Sequence, residues 1–277
     1  MTMTRGEAAA CWEANAETWT RHAREGFDVY RDRLNTTAFM ALLPPFAGLA
    51  GLDIGCGEGG NTRQLARRGA RMTAIDVAPT FLHYARKTEA MDPLGIEYIH
   101  ADAACLPFAD AKFDFATAFM SFMDMPDQTA VLAEAYRVLR PGGFLQFSIL
   151  HPCFAPPHRR VLREADGTVR AIEVAGYFEN IDGRIDRWWF GAAPPEERTR
   201  VTPFPEPRFH RTLSTWINLL ADIGFVLERL GEPCADELTA QEEPAVADTR
   251  TAPLFLHVRG RKTGGPVSQL PHAGGNG

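Results

Sequence analysis

The chain has 277 residues, enough for one large α/β domain with insertions and a solid core. Its formal net charge of −6 gives no overall basic footprint, which argues against a nucleic-acid partner. No apolar stretch reaches the length of about 18 residues that a membrane span needs, so we expect no membrane partner either.

The first 47 residues are predicted to be a helical cap. Trp12, Ala16 and Trp19 recur at i, i+4 and i+7, which predicts a helix over 7–24 with these side chains on one face. Two shorter helices are predicted after it, over 28–34 and 37–43. Tyr30, in the first of these, is a candidate substrate contact because its ring carries a hydroxyl.

A glycine-rich turn follows the first predicted strand, residues 49–54, with Asp53 just ahead of it. Gly55, Gly57 and Gly60 satisfy the G-x-G-x-x-G pattern. Glycines at this density allow a tight turn and let a ligand approach the backbone, and the helix after them offers free N–H groups. The turn therefore predicts a nucleotide-like cofactor at the carboxyl end of a central strand, and the pattern alone fits both nicotinamide enzymes and users of S-adenosylmethionine.

Strands and helices alternate through the rest of the first 150 residues and again near the end. Further strands are predicted at 72–75, 96–100, 113–119, 144–150, 225–230 and 254–259. Helices are predicted at 61–68, 81–89, after Asp127, and at 213–223. This alternation indicates a doubly wound, mostly parallel α/β sheet of seven strands.

Residues 151–212 depart from the alternation and are rich in proline, arginine and aromatic residues. A segment of this length is not a simple connection, so we interpret it as a substrate-binding insertion or lid after strand five. Asp182-Gly183, between β-like runs at 175–181 and 184–190, predicts a hairpin. Residues 263–277, with five glycines and two prolines, are predicted to be a disordered tail.

Five segments occur in order between about residues 48 and 150: LDIGCGEGG, TAIDVAP, YIHADAACLPF, FDFATAFMSFMDMPD and RVLRPGGFLQFSI. Together they closely resemble the Rossmann-like (class I) S-adenosylmethionine-dependent methyltransferases, especially the small-molecule branch that includes the ubiquinone-pathway enzymes. A nicotinamide-dependent dehydrogenase gives no reason for the acid at Asp102 or for the Arg-Pro-Gly-Gly turn. The resemblance implies S-adenosylmethionine as cofactor, an antiparallel last strand, and a methyltransferase domain over 48–262.

The same resemblance implies roles for the cofactor-binding residues. Asp76, at the end of strand two, would accept the ribose hydroxyls; Asp102, after strand three, would accept from the adenine amino group. Asp53 would help to hold the ammonium end of the cofactor. The other expected contacts are Gly55, Cys56, Gly57, Val77, Ala103 and Phe119.

Methyl transfer is an in-line displacement, so the enzyme mainly aligns the acceptor and excludes water; a base is needed only if the acceptor must lose a proton. Candidates lie near the carboxyl ends of strands: His151 first, then Asp124 and His210. Tyr177 and Trp188 are candidate substrate walls.

We expect a small organic acceptor, such as a secondary metabolite, with O-, N- and C-methylation all open. The alternatives are a fold relative that binds the cofactor without methylating, or regulates a partner, and a nicotinamide-dependent oxidoreductase. Five scattered cysteines, odd in number and without a C-x-x-C pair, predict free thiols in the cytoplasm and no metal site. The oligomeric state is not specified by these patterns.

Overall fold

The computed structural model describes residues 2–264. Its strands are β1 (Ala50–Ile54), β2 (Arg71–Asp76), β3 (Glu97–His100), β4 (Phe113–Phe119), β5 (Leu139–Leu150), β6 (His158–Arg163), β7 (Val169–Ala175), β8 (Arg184–Trp188), β9 (Phe204–Arg208), β10 (Phe225–Gly231) and β11 (Phe255–Lys262). Its helices are α1 (Arg5–Arg24), α2 (Thr36–Leu42), α3 (Gly60–Arg67), α4 (Pro79–Met91), α5 (Gln128–Val138), α6 (Pro195–Arg200), α7 (Leu213–Ile223) and α8 (Glu237–Glu242).

Seven of these strands form one sheet in the order β10-β11-β5-β4-β1-β2-β3. The pairs among β1 to β5 are parallel, and β11 lies antiparallel between β5 and β10. The predicted doubly wound sheet with an antiparallel last strand is therefore confirmed. The strand order reverses between β1 and β4. Open α/β sheets bind ligands at such a switch point, beyond the carboxyl ends of the strands.

The alternation of side chains along β5 explains how the sheet is covered on both faces. Leu145, Phe147 and Ile149 lie in one apolar cluster with α5 and α7. The intervening Gln146 points the other way, where its amide donates a hydrogen bond to the Phe39 carbonyl of α2 at 2.7 Å. The buried polar side of β5 thus anchors the N-terminal helices beside the sheet.

The N-terminal helices begin with a capping box, in which Thr4 and Glu7 satisfy each other's backbone N–H groups. Helix α1 then runs for 20 residues. The short helix predicted over 28–34 is instead a π-helical turn, Arg31–Asn35, which continues directly into α2. Helices thus occur where the sequence predicts them, although their boundaries differ.

The insertion, residues 151–212, contains two antiparallel strand pairs, β6 with β7 and β8 with β9. The predicted hairpin around Asp182-Gly183 is wrong, because β8 pairs with Phe204–Arg208 and not with the preceding residues. The sequence of β9, FPEPR, has prolines at alternate positions. A strand tolerates them where the missing N–H groups face away from its partner.

Two further expectations concern the ends of the described chain. All but the first two residues of the tail predicted at 263–277 lie outside the described residues. Within residues 2–264, no helix has the length and apolar character required to cross a bilayer.

Candidate functional site

A cavity of about 1020 Å³ lies at the carboxyl edge of the sheet. The ends of all five parallel strands β1 to β5 contribute to its floor, helix α1 and the π-helical turn cover one side, and the insertion covers the other. Trp19 of α1 meets Trp188 of the insertion with ring centroids 5.1 Å apart. The N-terminal helices and the insertion therefore close over the same space.

The glycine turn shapes the floor of this cavity. Gly55 has φ +73°, and a Cβ there would lie 2.6 Å from Ser121 Cβ. Gly57 has φ +55°, and a Cβ there would meet no atom within 4 Å. Because Gly57 also lines the cavity, its missing side chain leaves room for a ligand against the backbone.

Asp76 ends β2 and is only 7% exposed. Its Oδ2 accepts a hydrogen bond from the Gly57 N–H at 2.8 Å, and its Oδ1 accepts one from the Ala78 N–H at 2.9 Å. Burial raises the pKa of this carboxyl to about 6, although the backbone donors favour the ionised form. Each oxygen keeps a free lone pair, so the oriented carboxylate can accept two further donors from the cavity.

Asp53 lies deeper, at 2% exposure. Its two carboxylate oxygens accept hydrogen bonds from the hydroxyls of Thr62 on α3 at 2.5 Å and Thr117 on β4 at 2.8 Å. Burial raises its pKa, and the two hydroxyl donors oppose that shift. Asp53 therefore ties the strand, the helix and the neighbouring strand together beneath the turn, while still reaching the cavity wall.

Asp102 lies beyond the end of β3, where it joins the edge of the sheet to helix α1. One oxygen accepts from the Ala104 N–H at 2.9 Å, and the other lies 3.1 Å from Nη1 of Arg5. Val77 and Ala103 lie beside it on the cavity wall. Asp102 therefore places a carboxylate acceptor beside two apolar side chains of the cavity wall.

These residues fit S-adenosylmethionine. The cavity is at the upper end of the volume range of small-molecule sites, about 300–1,000 Å³. The side-chain-free wall at Gly57 and the oriented carboxylate of Asp76 suit a ribose diol that needs acceptors close to the backbone. Asp102 and its apolar neighbours suit a flat base with an exocyclic amino group. The sequence-predicted residues Gly55, Cys56 and Phe119 also line the cavity.

Tyr30, Trp188 and Asp124 also line the cavity. The Tyr30 hydroxyl lies 2.6 Å from the Ala245 carbonyl and 3.0 Å from Asp248 Oδ1. Asp124 is 5% exposed, and burial raises its pKa well above the usual range. Within residues 2–264, Asp124 Oδ2 and the Trp188 indole nitrogen have no hydrogen-bond partner.

Three other predicted residues do not reach this cavity. The His151 ring uses both nitrogens elsewhere: Nδ1 accepts from the Cys153 N–H at 3.1 Å, and Nε2 lies 2.9 Å from Glu232. His210 Nε2 lies 2.9 Å from the Tyr177 carbonyl, while the Tyr177 hydroxyl accepts from the Leu213 N–H.

Strand alternation explains the position of His151. The His151 N–H donates to the Leu254 carbonyl at 2.8 Å, so the sheet pairing continues one residue past β5. Leu150 faces the cavity, and the next side chain therefore points to the opposite face. His210 instead lines a small adjoining pocket of about 30 Å³. The structure does not support His151, His210 or Tyr177 as residues of the main cavity.

Sequence reasoning missed a polar group on β8 and β9, formed by Arg184, Asp186, Glu206 and Arg208, all of which line the cavity. Asp186 accepts from Arg184 at 2.8 Å and from Arg208 at 3.1 Å. The period-two spacing of Arg184, Asp186 and Trp188 was a usable signal for the first strand. The prolines of β9 concealed the second.

No group of three or more potential metal-ligating His, Cys, Asp or Glu side chains occurs within the described part of the chain.

Comparison with known proteins shows what this part of the chain is similar to. Residues 52–147 match a family described as "Methyltransferase domain". A malonyl-[acyl-carrier protein] O-methyltransferase of Pectobacterium atrosepticum is 30% identical over 165 residues, which are 60% of this chain and 58% of the relative. An O-methyltransferase of Penicillium expansum is 39% identical over 172 residues, 56% of this chain and 60% of the relative. The chain thus spans less than two thirds of either relative.

Among solved structures, an S-adenosylmethionine-dependent methyltransferase from Mesorhizobium loti is similar over 81% of this chain and 96% of its own, with a TM-score of 0.65 and 27% identity. The matched region contains the glycine turn, Asp76 and Asp102, which line one cavity at the sheet's switch point. Residues 52–147 are therefore similar to a methyltransferase-domain family, and the fold is similar to that of a solved S-adenosylmethionine-dependent methyltransferase.

Proposed function

We propose that the protein transfers the methyl group of S-adenosylmethionine to a small organic acceptor by direct in-line displacement. The observation that carries this proposal is that one cavity is lined both by Gly57 and Asp76 and by Asp124 and Trp188. When bound, the cofactor supplies a methyl group activated by its sulfonium. Everything else required of the protein is binding, alignment and exclusion of water.

For the cofactor half, we propose that Asp76 accepts both ribose hydroxyls and that Asp102 accepts from the adenine amino group. Asp53 already accepts two hydroxyl donors, so we propose that it favours the cofactor's ammonium group through its negative charge or through a water. The remaining proposed contacts are Gly55, Cys56, Gly57, Val77, Ala103 and the Phe119 carbonyl.

For the acceptor half, we propose Tyr30 and Trp188 as walls and Asp124 as the residue that handles a proton when the acceptor must lose one. Trp19 and Trp188 pack edge to face above this region, which supports a site closed to water. Positioning in such a site contributes on the order of 7–11 kcal/mol to lowering the barrier. The aromatic walls favour a secondary metabolite as acceptor, and five free cysteines favour a cytoplasmic location.

The test combines binding and turnover. Calorimetry should detect binding of S-adenosylmethionine and of S-adenosylhomocysteine, and no comparable binding of NADH. The full chain is then incubated with methyl-labelled donor and a panel of phenols, hydroxy acids and N-heterocycles. We expect at least one labelled product, and loss of it in Asp76→Ala but not in the matched control Asp222→Ala, which changes an exposed acid on α7.

Tight cofactor binding without methylation of any acceptor in the panel would favour the alternative, a cofactor-binding relative with a regulatory role. Tight binding of NADH in place of the methyl donor would contradict the proposal outright.

A further inference from the structure

One face of the β8 and β9 pair carries a polar cluster that the proposed methyl transfer does not yet explain. In the antiparallel register, Asp186 lies opposite Glu206, and Arg184 lies opposite Arg208. Residues two apart on a strand share a face, so all four side chains project the same way, and all four line the cavity. Two carboxylates directly opposite each other repel unless a proton or a cation intervenes.

Asp124 approaches this face from the sheet side. It ends the short 3₁₀ turn Phe122–Asp124, and the Phe209 N–H, just past β9, donates to the Met123 carbonyl at 3.1 Å. That bond holds the end of β9 against the turn. Asp124 and Glu206 both line the main cavity and also the small pocket next to it.

The charges around the two carboxyls favour one negative charge between them. Asp186 is ion-paired with both Arg184 and Arg208, which leaves those three residues with a net charge of +1. One ionised carboxyl in the Asp124–Glu206 pair neutralises the cluster, whereas two would leave a buried negative charge, which is unfavourable without a partner.

Other groups face the pair from the elements around it. Burial is the largest cause of the rise of the Glu206 pKa to about 7. Arg208 and the Trp188 indole oppose the rise, whereas Asp186 and Asp28, which lies before the π-helical turn, add to it. Asp28 itself accepts from the Arg31 N–H at 3.1 Å. His210 lies in the small pocket, and burial lowers its pKa, so it is neutral at pH 7.

We propose that Asp124 and Glu206 form a carboxyl pair that holds one proton at neutral pH, and that its ionised member takes a proton from an O–H or N–H of the acceptor. This inference rests on the proposed function and adds Glu206 to it. In the step, the O–H or N–H bond of the acceptor breaks, its electron pair stays on oxygen or nitrogen, and the proton goes to a carboxylate oxygen. The pair then carries two protons until product leaves.

The pair also defines an acceptor class. Trp188 lies on the same strand face as Asp186. Its indole N–H makes no hydrogen bond of normal geometry among the described residues, but it lies near enough to the Glu206 carboxyl to lower the pKa of that group. An aromatic or heteroaromatic ring that carries an O–H or N–H would pack on the aromatic wall and present its proton to the pair. An acceptor that is methylated only at carbon and has no such proton does not use it.

Trp188 is the reporter for the test. The indole ¹H–¹⁵N signal of Trp188 in the full chain, assigned with Trp188→Phe, is followed across the pH range without donor or acceptor. We expect this signal to shift with a midpoint above pH 7, where the pair loses the one proton that it holds at neutral pH. In Glu206→Gln and in Asp124→Asn the midpoint should fall by at least about one pH unit, because the remaining carboxyl no longer ionises beside a charged neighbour.

Glu196→Gln, an exposed acid on α6 of the same insertion, is the matched control and should leave the midpoint unchanged. A Trp188 signal that does not respond between about pH 5 and 9, or that keeps its midpoint in Glu206→Gln, would overturn the pair. If Glu206→Gln does not fold, an unchanged midpoint in Asp124→Asn would also overturn the proposed pair. Cofactor affinity is measured separately, so failure of the proposed function and failure of the pair give different results.

Discussion

Replacement of Asp76 by alanine tests the cofactor half of the site most directly. In the folded protein, the Asp76 carboxylate is held by the Gly57 and Ala78 N–H groups, with lone pairs left for the ribose. Hydrogen bonds to a charged acceptor contribute about 1.5–3 kcal/mol. Loss of the ribose contacts should therefore weaken S-adenosylmethionine binding ten- to hundredfold, or about 1.4–2.7 kcal/mol.

The pH dependence of S-adenosylmethionine binding provides a second, independent test of the role of Asp76. Burial raises the pKa of Asp76 to about 6. At pH 7.5 the carboxyl is almost wholly ionised, whereas at pH 5 only about a tenth of the molecules carry the charge. If the ionised form binds the ribose, affinity should fall about tenfold between these two pH values in the native chain. In Asp76→Asn, which keeps an acceptor but no charge, that dependence should disappear.

Isothermal titration calorimetry at both pH values measures these effects. Asp76→Ala leaves the Ala78 N–H buried without its acceptor, which should lower the free energy of unfolding by about 1–3 kcal/mol. A thermal unfolding scan therefore accompanies each titration, so that weaker binding is not mistaken for lost structure. A folded Asp76→Ala variant with unchanged affinity would refute the assignment of Asp76 to the cofactor site.

Three further predictions follow from other parts of the molecule. Gly57→Ala should lower cofactor affinity because its methyl group enters the cavity. It should lower the free energy of unfolding by only about 1–2 kcal/mol, which is the strain of φ +55°. Unchanged cofactor affinity would contradict the proposal that Gly57 leaves room for the cofactor. Arg159→Ala should lower the free energy of unfolding by about 3 kcal/mol, because it removes the cation 2.6 Å from the fully buried Asp248. Arg160→Ala, which changes an exposed neighbour, is the control in the denaturation experiment and should leave the free energy of unfolding nearly unchanged. Burial lowers the pKa of His257 to about 4, so as pH falls the unfolded chain binds the His257 proton before the native chain does. The free energy of unfolding of the native chain should therefore fall by about 3 kcal/mol relative to that of His257→Gln between about pH 6.5 and pH 4. Parallel stability curves for the two proteins would show that His257 is not the cause.

The cofactor half of the site could be predicted from sequence because its rules are local. A buried strand followed by glycines predicts a turn with an open backbone, and an acid at the end of the next strand lies at the same edge of a parallel sheet. The strand assignment alone was therefore enough to predict Asp76 and Asp102 at this edge of the sheet. Both residues line the cavity, as does Gly57.

The acceptor half could not be predicted in the same way. Whether His151 faced the cavity depended on one more residue of pairing with Leu254, which reversed the direction of its side chain. Glu206 lies 82 positions from Asp124 and follows a proline in a strand that no periodicity signal revealed.

Local chemistry of the chain thus determined the fold class, the glycine turn and the acids at the strand ends, because each depends on residues adjacent in sequence. Only the tertiary structure decided which insertion side chains share the cavity with Asp124. The reason is physical: the pairing of β8 with β9 and the docking of β9 on the 3₁₀ turn are contacts between distant segments, and a shift of one residue in either would turn Glu206 away from the site.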